Sequence, residues 1–220
     1  TPGFGPERLL GGLIFSTGLI LVVVGGAELF TGNALIVMAV VDGKVSLSAL
    51  LRNWVFAYAG NLAGALAIAL LMAASGLLAG PVGETAQKIA LAKLGLPPVE
   101  AFVRGILCNT LVCLAVWLCM SCRTTGEKVL AVLFPITAFV AAGFEHSVAN
   151  MYFVPAAIFV QDWGSADIPT QFGAPAPTPL EWGSFVVRNL IPVTLGNVVG
   201  GGMLVGIVYW EVYCRRGKSV

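Results

Sequence analysis

Two octapeptides decide how this chain folds: GAELFTGN at Gly26–Asn33 and GFEHSVAN at Gly143–Asn150. They agree at the opening glycine (Gly26, Gly143), the third-position glutamate (Glu28, Glu145) and the closing asparagine (Asn33, Asn150). Each lies in the middle of a long apolar run, and the second carries His146, the only histidine of the chain, beside Glu145.

The surroundings of both are hydrocarbon-like. The chain is 58% hydrophobic and 10% charged, with a mean hydropathy of +0.91, whereas roughly a quarter of the residues of a soluble domain are charged. This is the composition of an integral membrane protein, and no nucleic-acid partner is expected. Apolar runs fall at about Leu9–Val41, Asn53–Val82, Gly105–Cys122, Val129–Val160 and Asn189–Trp210. Each is as long as the roughly 18 residues a span requires. Unbroken runs of that length predict helices, since a barrel strand is short and alternates in polarity. None near the start has the form of a signal peptide.

Two runs are longer than a membrane needs. A straight helix over the 33 residues Leu9–Val41 would extend roughly 50 Å across a core of about 30 Å. The glycines of GAELFTGN favour a break there, and backbone freed within a membrane must be buried in protein or line a polar cavity. The run Val129–Val160 has the same design, with GFEHSVAN at its centre and Pro135 and Pro155 on either side.

The segments after the octapeptides also correspond. RNWVFAYAGNLAG (Arg52–Gly64) and RNLIPVTLGNVVG (Arg188–Gly200) share Arg-Asn, a later Gly-Asn and a further glycine at the same spacing. The halves therefore form a repeat, about 8–82 and 102–212, within a single transmembrane domain covering 1–220. An odd number of spans separates the two breaks, so the repeat is inverted, an architecture that builds a permeation site where two discontinuous helices meet. In the second half a complete span, Gly105–Cys122, precedes the broken helix. Its counterpart would lie before Thr1, and an upstream hydrophobic helix is expected there. Gly60/Gly64 and Gly196/Gly200 have the GxxxG spacing of closely packed membrane helices, within a protomer or between protomers.

Charge distribution orients the chain. Lys44, Arg52, Arg123, Lys128, Arg215, Arg216 and Lys218 collect on one side, and Glu84, Glu100, Asp162, Asp167 and Glu181 predominate on the other. The positive-inside rule makes the first side cytoplasmic and places the C-terminus there. Cys108, Cys113, Cys119, Cys122 and Cys214 show no disulfide framework; the CMSC spacing suits a redox or metal pair, but no second pair accompanies it and small residues are common at helix packing sites. Neither a metal nor a cofactor is expected.

ELFTGN, LVCLAVW (Leu111–Trp117), GFEHSVANM and IPVTLGN resemble the formate/nitrite transporter family, in this order and over essentially the whole chain. IPVTLGN and the GGGMLVGIVYW ending are most similar to the formate branch. The resemblance implies an all-α, aquaporin-like membrane fold of three plus three helices with two of them broken, the first span being absent from this chain. It also implies a homopentamer in a lipid bilayer, the bacterial inner membrane, with one pore per protomer for a small anion.

It further implies site residues: His146 at the pore centre facing Thr31, Asn109 nearby, and Phe15, Leu19, Phe30, Val112 and Phe139 at apolar constrictions. Glu28, Glu145, Asn33 and Asn150 are expected to anchor the two loops, the carboxylates accepting backbone N–H groups. The alternative for the glutamates is cation binding, and for Thr31 a bond to its own helix backbone. A buried histidine also serves as packing, but a unique intramembrane one at a helix break points to function.

The chemistry fits a permeating anion. A monovalent anion is costly in a dry constriction and its conjugate acid much less so. Imidazole changes charge near neutral pH, so His146 is suited to bind the anion or to exchange a proton with it. Helix N-termini at the breaks add N–H donors. Formate is the expected substrate; nitrite and hydrosulfide are the alternatives within the same family. A membrane enzyme is the third reading, opposed by the lack of a Ser/His/Asp, HExxH or nucleotide-binding glycine motif and by a single histidine.

Overall fold

A computed structural model describes residues 3–163 and 180–215. Asp167, Arg216 and Lys218, used above to orient the chain, lie outside the described residues. Those described contain helices and no strand, in the order α1 Phe4–Gly25, α2 Gly32–Val41, α3 Leu47–Ala74, α4 Pro81–Leu94, α5 Pro98–Ser121, α6 Thr125–Ala142, α7 Ser147–Trp163 and α8 Trp182–Cys214. Five of them, α1, α3, α5, α6 and α8, are long and apolar enough to cross a membrane. The protein is a multi-pass membrane protein.

The breaks fall within the two octapeptides and have the same cause. α1 stops where Gly26 takes φ +74° and α6 where Gly143 takes φ +73°, a left-handed geometry that costs glycine nothing. In both, the N–H of the following residue reaches back five residues: Ala27 to the Val22 carbonyl and Phe144 to the Phe139 carbonyl, each at 3.1 Å. These are Schellman turns, which close a helix by satisfying its last carbonyls. After the first, the chain restarts as α2 with a 3-10 turn over Gly32–Ile36; after the second it restarts directly at Ser147.

Packing places α1 along α6, α3 along α7, and α5 between α6 and α8. At the α1–α6 crossing a Cβ on Gly12 would stand 2.9 Å from the Thr137 backbone, and the Ser16 hydroxyl donates to the Gly12 carbonyl at 2.8 Å. The α5–α8 crossing is closer still. Cβ atoms on Gly196 and Gly200 would fall onto the Phe102 and Ile106 carbonyls, and one on Gly105 would lie 2.8 Å from the Val193 carbonyl. The second GxxxG pair therefore packs within the protomer. A Cβ on Gly60 or Gly64 would meet no described atom within 4 Å. Replacing Gly200 by leucine is expected to cost at least about 3 kcal/mol, because backbone rather than a mobile side chain stands in the way; thermal stability in detergent, read by size exclusion after heating, checks this, and an unchanged profile would contradict the close crossing.

α8 is wound unusually, with π-helical stretches over Phe185–Leu190, Val199–Ile207 and Trp210–Cys214. Such turns gather at functional sites. The α2–α3 connection and the end of α8 lie together, since the Trp210 indole N–H donates to Asp42 at 3.0 Å.

The sequence reading places Gly83–Arg104 in a loop and extends the second span to Val82. Instead α3 ends at Ala74, and the supposed loop contains the 14-residue α4. Its signals are Pro81 at the start, Glu84 in the first turn, Lys93 in the last and Gly95 after it, all in the positions that favour a helix. α4 packs on α7 and carries Lys93 toward the second break.

Candidate functional site

Each glutamate of the two octapeptides stands at the centre of a hydrogen-bond pattern that occurs twice. In the first half Asn33 Nδ2 donates to Glu28 Oε2 and, at 2.9 Å, to Asn53 Oδ1. In the second Asn150 Nδ2 donates to Glu145 Oε2 and to Asn189 Oδ1, both at 2.7 Å. Asn61 receives the Phe30 N–H and donates to the Glu28 carbonyl, each at 2.9 Å. Asn197 likewise receives the Ser147 N–H at 2.9 Å and donates to the Glu145 carbonyl at 3.0 Å. The asparagines of Arg-Asn and Gly-Asn thus hold the two loops in register.

This differs from the expectation in one respect. The carboxylates accept from asparagine amides, whereas the loop N–H groups go to Asn61 and Asn197. The reason is geometric: an amide offers both a donor and an acceptor, so one asparagine can satisfy an N–H and a carbonyl of the same loop.

The halves diverge at the carboxylates. Glu28 is exposed, while Glu145 is 4% exposed and forms an ion pair with Lys93 at 2.9 Å. A buried carboxylate without a cation would be severely penalised, and α4 supplies that cation. Asn189 adds a bond to Glu145 Oε2 at 3.2 Å.

His146 directly follows this anchored glutamate. Its Nδ1 receives the Ala149 N–H at 3.0 Å, in the manner of a helix N-cap, and its Nε2 lies 3.0 Å from Thr31 Oγ1. With Nδ1 accepting, the ring proton of the neutral imidazole is on Nε2 and the His146–Thr31 bond is donated by the histidine. Both side chains are buried, so the two breaks meet through this one bond. Asn109 supports Thr31 from behind, its Nδ2 donating to the Thr31 carbonyl at 3.1 Å and to the Asn197 carbonyl at 2.6 Å.

Three cavities lie end to end past the histidine. The first, about 330 Å³, is a vestibule walled by Arg8, Lys93, Arg104, Glu145 and His146 among aromatic residues. The second, about 180 Å³, is apolar apart from His146 and includes Val112. The third, about 360 Å³, is lined by Val116, Cys119, Asn33 and Lys128. Phe15, Phe139, His146 and Ala149 are common to the first two, and Leu19, Val22 and Leu29 to the second and third. Phe15 and Phe139 meet edge to face at 5.6 Å, and Phe139 stacks on His146 at 6.0 Å.

Of the expected constriction residues, Phe15, Leu19, Val112 and Phe139 line these cavities. Phe30 does not; it packs against Trp54 and Tyr58, with ring centroids 5.9 and 4.9 Å away. Thr31 and Asn109 are 0% exposed and stand behind the wall rather than in it. Lys93, Arg8 and Arg104 are residues the sequence reading missed. For Lys93 the signal was available in the helix-bounding residues of α4; for the arginines, near the ends of spans, there was none.

No group of three or more His, Cys, Asp or Glu suited to a metal occurs among the described residues. The cysteines are free thiols, with Cys113 Sγ directed at the Thr31 carbonyl at 3.4 Å.

Known proteins resemble this chain in sequence and fold. The formate/nitrite transporter family matches residues 1–211. The formate channel FocA of Escherichia coli K12 is 44% identical over 98% of this chain and 78% of its own length, and that of Haemophilus influenzae is 41% identical over 93% and 74%. A solved pentameric formate channel with formate bound superposes with a TM-score of 0.87 at 43% identity, over 96% of this chain and 85% of that one. With its paired breaks, duplicated asparagine clamps and the histidine between them, the chain belongs to the formate/nitrite transporter family.

Proposed function

We propose that this chain is one protomer of a homopentameric channel that passes formate or a similar small monovalent anion, as a single domain of two inverted repeats. The observation that carries this is the row of three cavities from Lys93 to Lys128 with His146 in the wall of the first two. Cationic vestibules flank an apolar chamber of about 180 Å³, large enough for a small anion. An anion would shed most of its water there, which is costly unless a donor replaces it or a proton neutralises the charge. His146 is the group placed to do either, by sharing its Nε2 proton between Thr31 and the anion or giving it up to the anion, with the ring held by its Nδ1 at the α7 N-terminus. The relatives named as formate channels support the substrate class.

In this reading Phe15 with Phe139, and Leu19 with its neighbours, form the narrow points of the pore, and Glu28, Glu145, Asn33 and Asn150 serve as loop anchors. The Lys128 side faces the cytoplasm of a bacterial inner membrane by the positive-inside rule, with the C-terminus on that side. The chain acts as a channel and not as an enzyme.

Flux of formate, nitrite and hydrosulfide into proteoliposomes across a pH series tests the proposal. Formate is expected to move fastest, and faster as the medium becomes acidic. Faster nitrite or hydrosulfide flux would reassign the substrate within the family, and no flux of any of the three would overturn the channel reading.

A further inference from the structure

α6 ends beside His146, at the wall of the Lys93-side vestibule. The carbonyl end of a helix carries roughly half a negative charge within its last turn, and here it flanks the approach an anion would take. Two guanidinium groups bond to it: Arg8 Nη1 donates to the Ala141 carbonyl at 3.0 Å and Arg104 Nη1 to the Gly143 carbonyl at 3.4 Å. They come from different helices, α1 and α5, so their convergence is tertiary.

The three cations of this vestibule are not equivalent. Lys93 is matched by Glu145 at 2.9 Å and Arg104 by Glu100 at 3.2 Å. Arg8 forms no ion pair with a described residue; it bonds a carbonyl and lies 4.5 Å over the Phe4 ring. Neighbouring Glu7 is not part of the vestibule wall.

We infer that Arg8 is the charge that makes this mouth receptive to anions: it offsets the negative end of α6 and leaves the vestibule with a positive charge that no described carboxylate pairs. This rests on the channel reading above. A unit charge roughly 8 Å from a permeating anion, at the intermediate dielectric of a water-filled mouth, alters anion occupancy by about fivefold, and salt screens the effect. Arg104 plays the lesser part because Glu100 offsets it.

Arg8→Gln keeps a donor for the Ala141 carbonyl and removes the charge, and Arg8→Lys restores the charge. At low ionic strength the glutamine variant is expected to pass formate about fivefold more slowly than wild type, with the lysine variant within about twofold of wild type. The difference should shrink toward unity near 1 M salt, and the pH profile set at His146 should keep its midpoint. Equal flux of Arg8→Gln and wild type at low salt overturns the inference. So does a deficit that salt does not relieve or lysine does not rescue, which marks a purely structural role.

Should Arg8→Gln fail to assemble, Glu100→Gln decides. It leaves Arg8 in place and frees the charge of Arg104, so low-salt flux should rise, and an unchanged flux overturns the electrostatic account. Absence of flux in the wild type removes the channel reading itself, whereas wild-type flux with an indifferent Arg8→Gln removes only this inference.

Discussion

Replacing His146 by alanine is expected to flatten the pH dependence of formate flux and to lower flux on the acidic side by roughly ten- to a hundredfold. The magnitude follows from what the ring supplies. A hydrogen bond to a charged partner contributes about 1.5–3 kcal/mol, which converts to that range of occupancy. The imidazole stands in the wall common to the vestibule and the apolar chamber, where no other titratable side chain is shared between the two cavities.

The same ring has a second task, capping α7 at the Ala149 N–H, and alanine removes both. Asparagine separates them, because it is a good N-cap but carries no exchangeable charge. His146→Asn should therefore assemble and melt like wild type while showing the flat pH profile of alanine. If His146→Asn retains the wild-type profile, the histidine is a cap and the proton role fails. Stopped-flow flux between pH 5 and 8, beside a melting curve for each variant, reads both quantities.

The second large effect is structural. Asn197→Ala is expected to cost at least about 3 kcal/mol and to abolish channel assembly in detergent, whereas Asn61→Ala should cost about 1 kcal/mol. The two residues are counterparts, so the difference depends on burial and on one further bond that Asn197 makes to the Gly105 carbonyl. Asn197 is 0% exposed and holds the Ser147 N–H and the carbonyls of Glu145 and Gly105. Without its side chain these groups are stranded in an apolar surrounding, at about 1–3 kcal/mol each. Asn61 is only partly buried, and its bond to the Glu28 carbonyl lies at the surface, where water can take its place. Equal losses at the two positions would show that the clamps do not differ as the burial indicates. Thermal unfolding by size exclusion gives the comparison directly.

Much of the fold is legible in the sequence. The paired octapeptides and the Arg-Asn and Gly-Asn echoes after them indicate two helix breaks with corresponding surroundings, and α1 and α6 end there, each beside its own asparagine clamp. Phe30 shows the limit. Its neighbour Thr31 faces the second break, but Phe30 itself turns into the aromatic contacts of α3, and adjacent residues in a 3-10 approach point in directions that a motif alone does not specify. Lys93 shows another. An apolar run that continues as far as Val82 hides the helix boundary at Ala74, so the cation 52 residues from Glu145 falls by sequence in a loop with no task.

What the amino-acid sequence determined by itself was local or additive. Span length follows from summed hydropathy, and a helix ends at Gly26 and Gly143 because only glycine enters φ > 0 without strain. The tertiary structure alone decided which polar groups meet. Thr31 and His146, Lys93 and Glu145, Arg8 and the Ala141 carbonyl are each brought together by helices crossing where Gly12, Gly105, Gly196 and Gly200 let backbones touch. Such contacts depend on crossing angle and depth in three dimensions. The octapeptides record where the chain must break, and the packing of α1, α4, α5 and α6 around them sets the charges that an anion meets there.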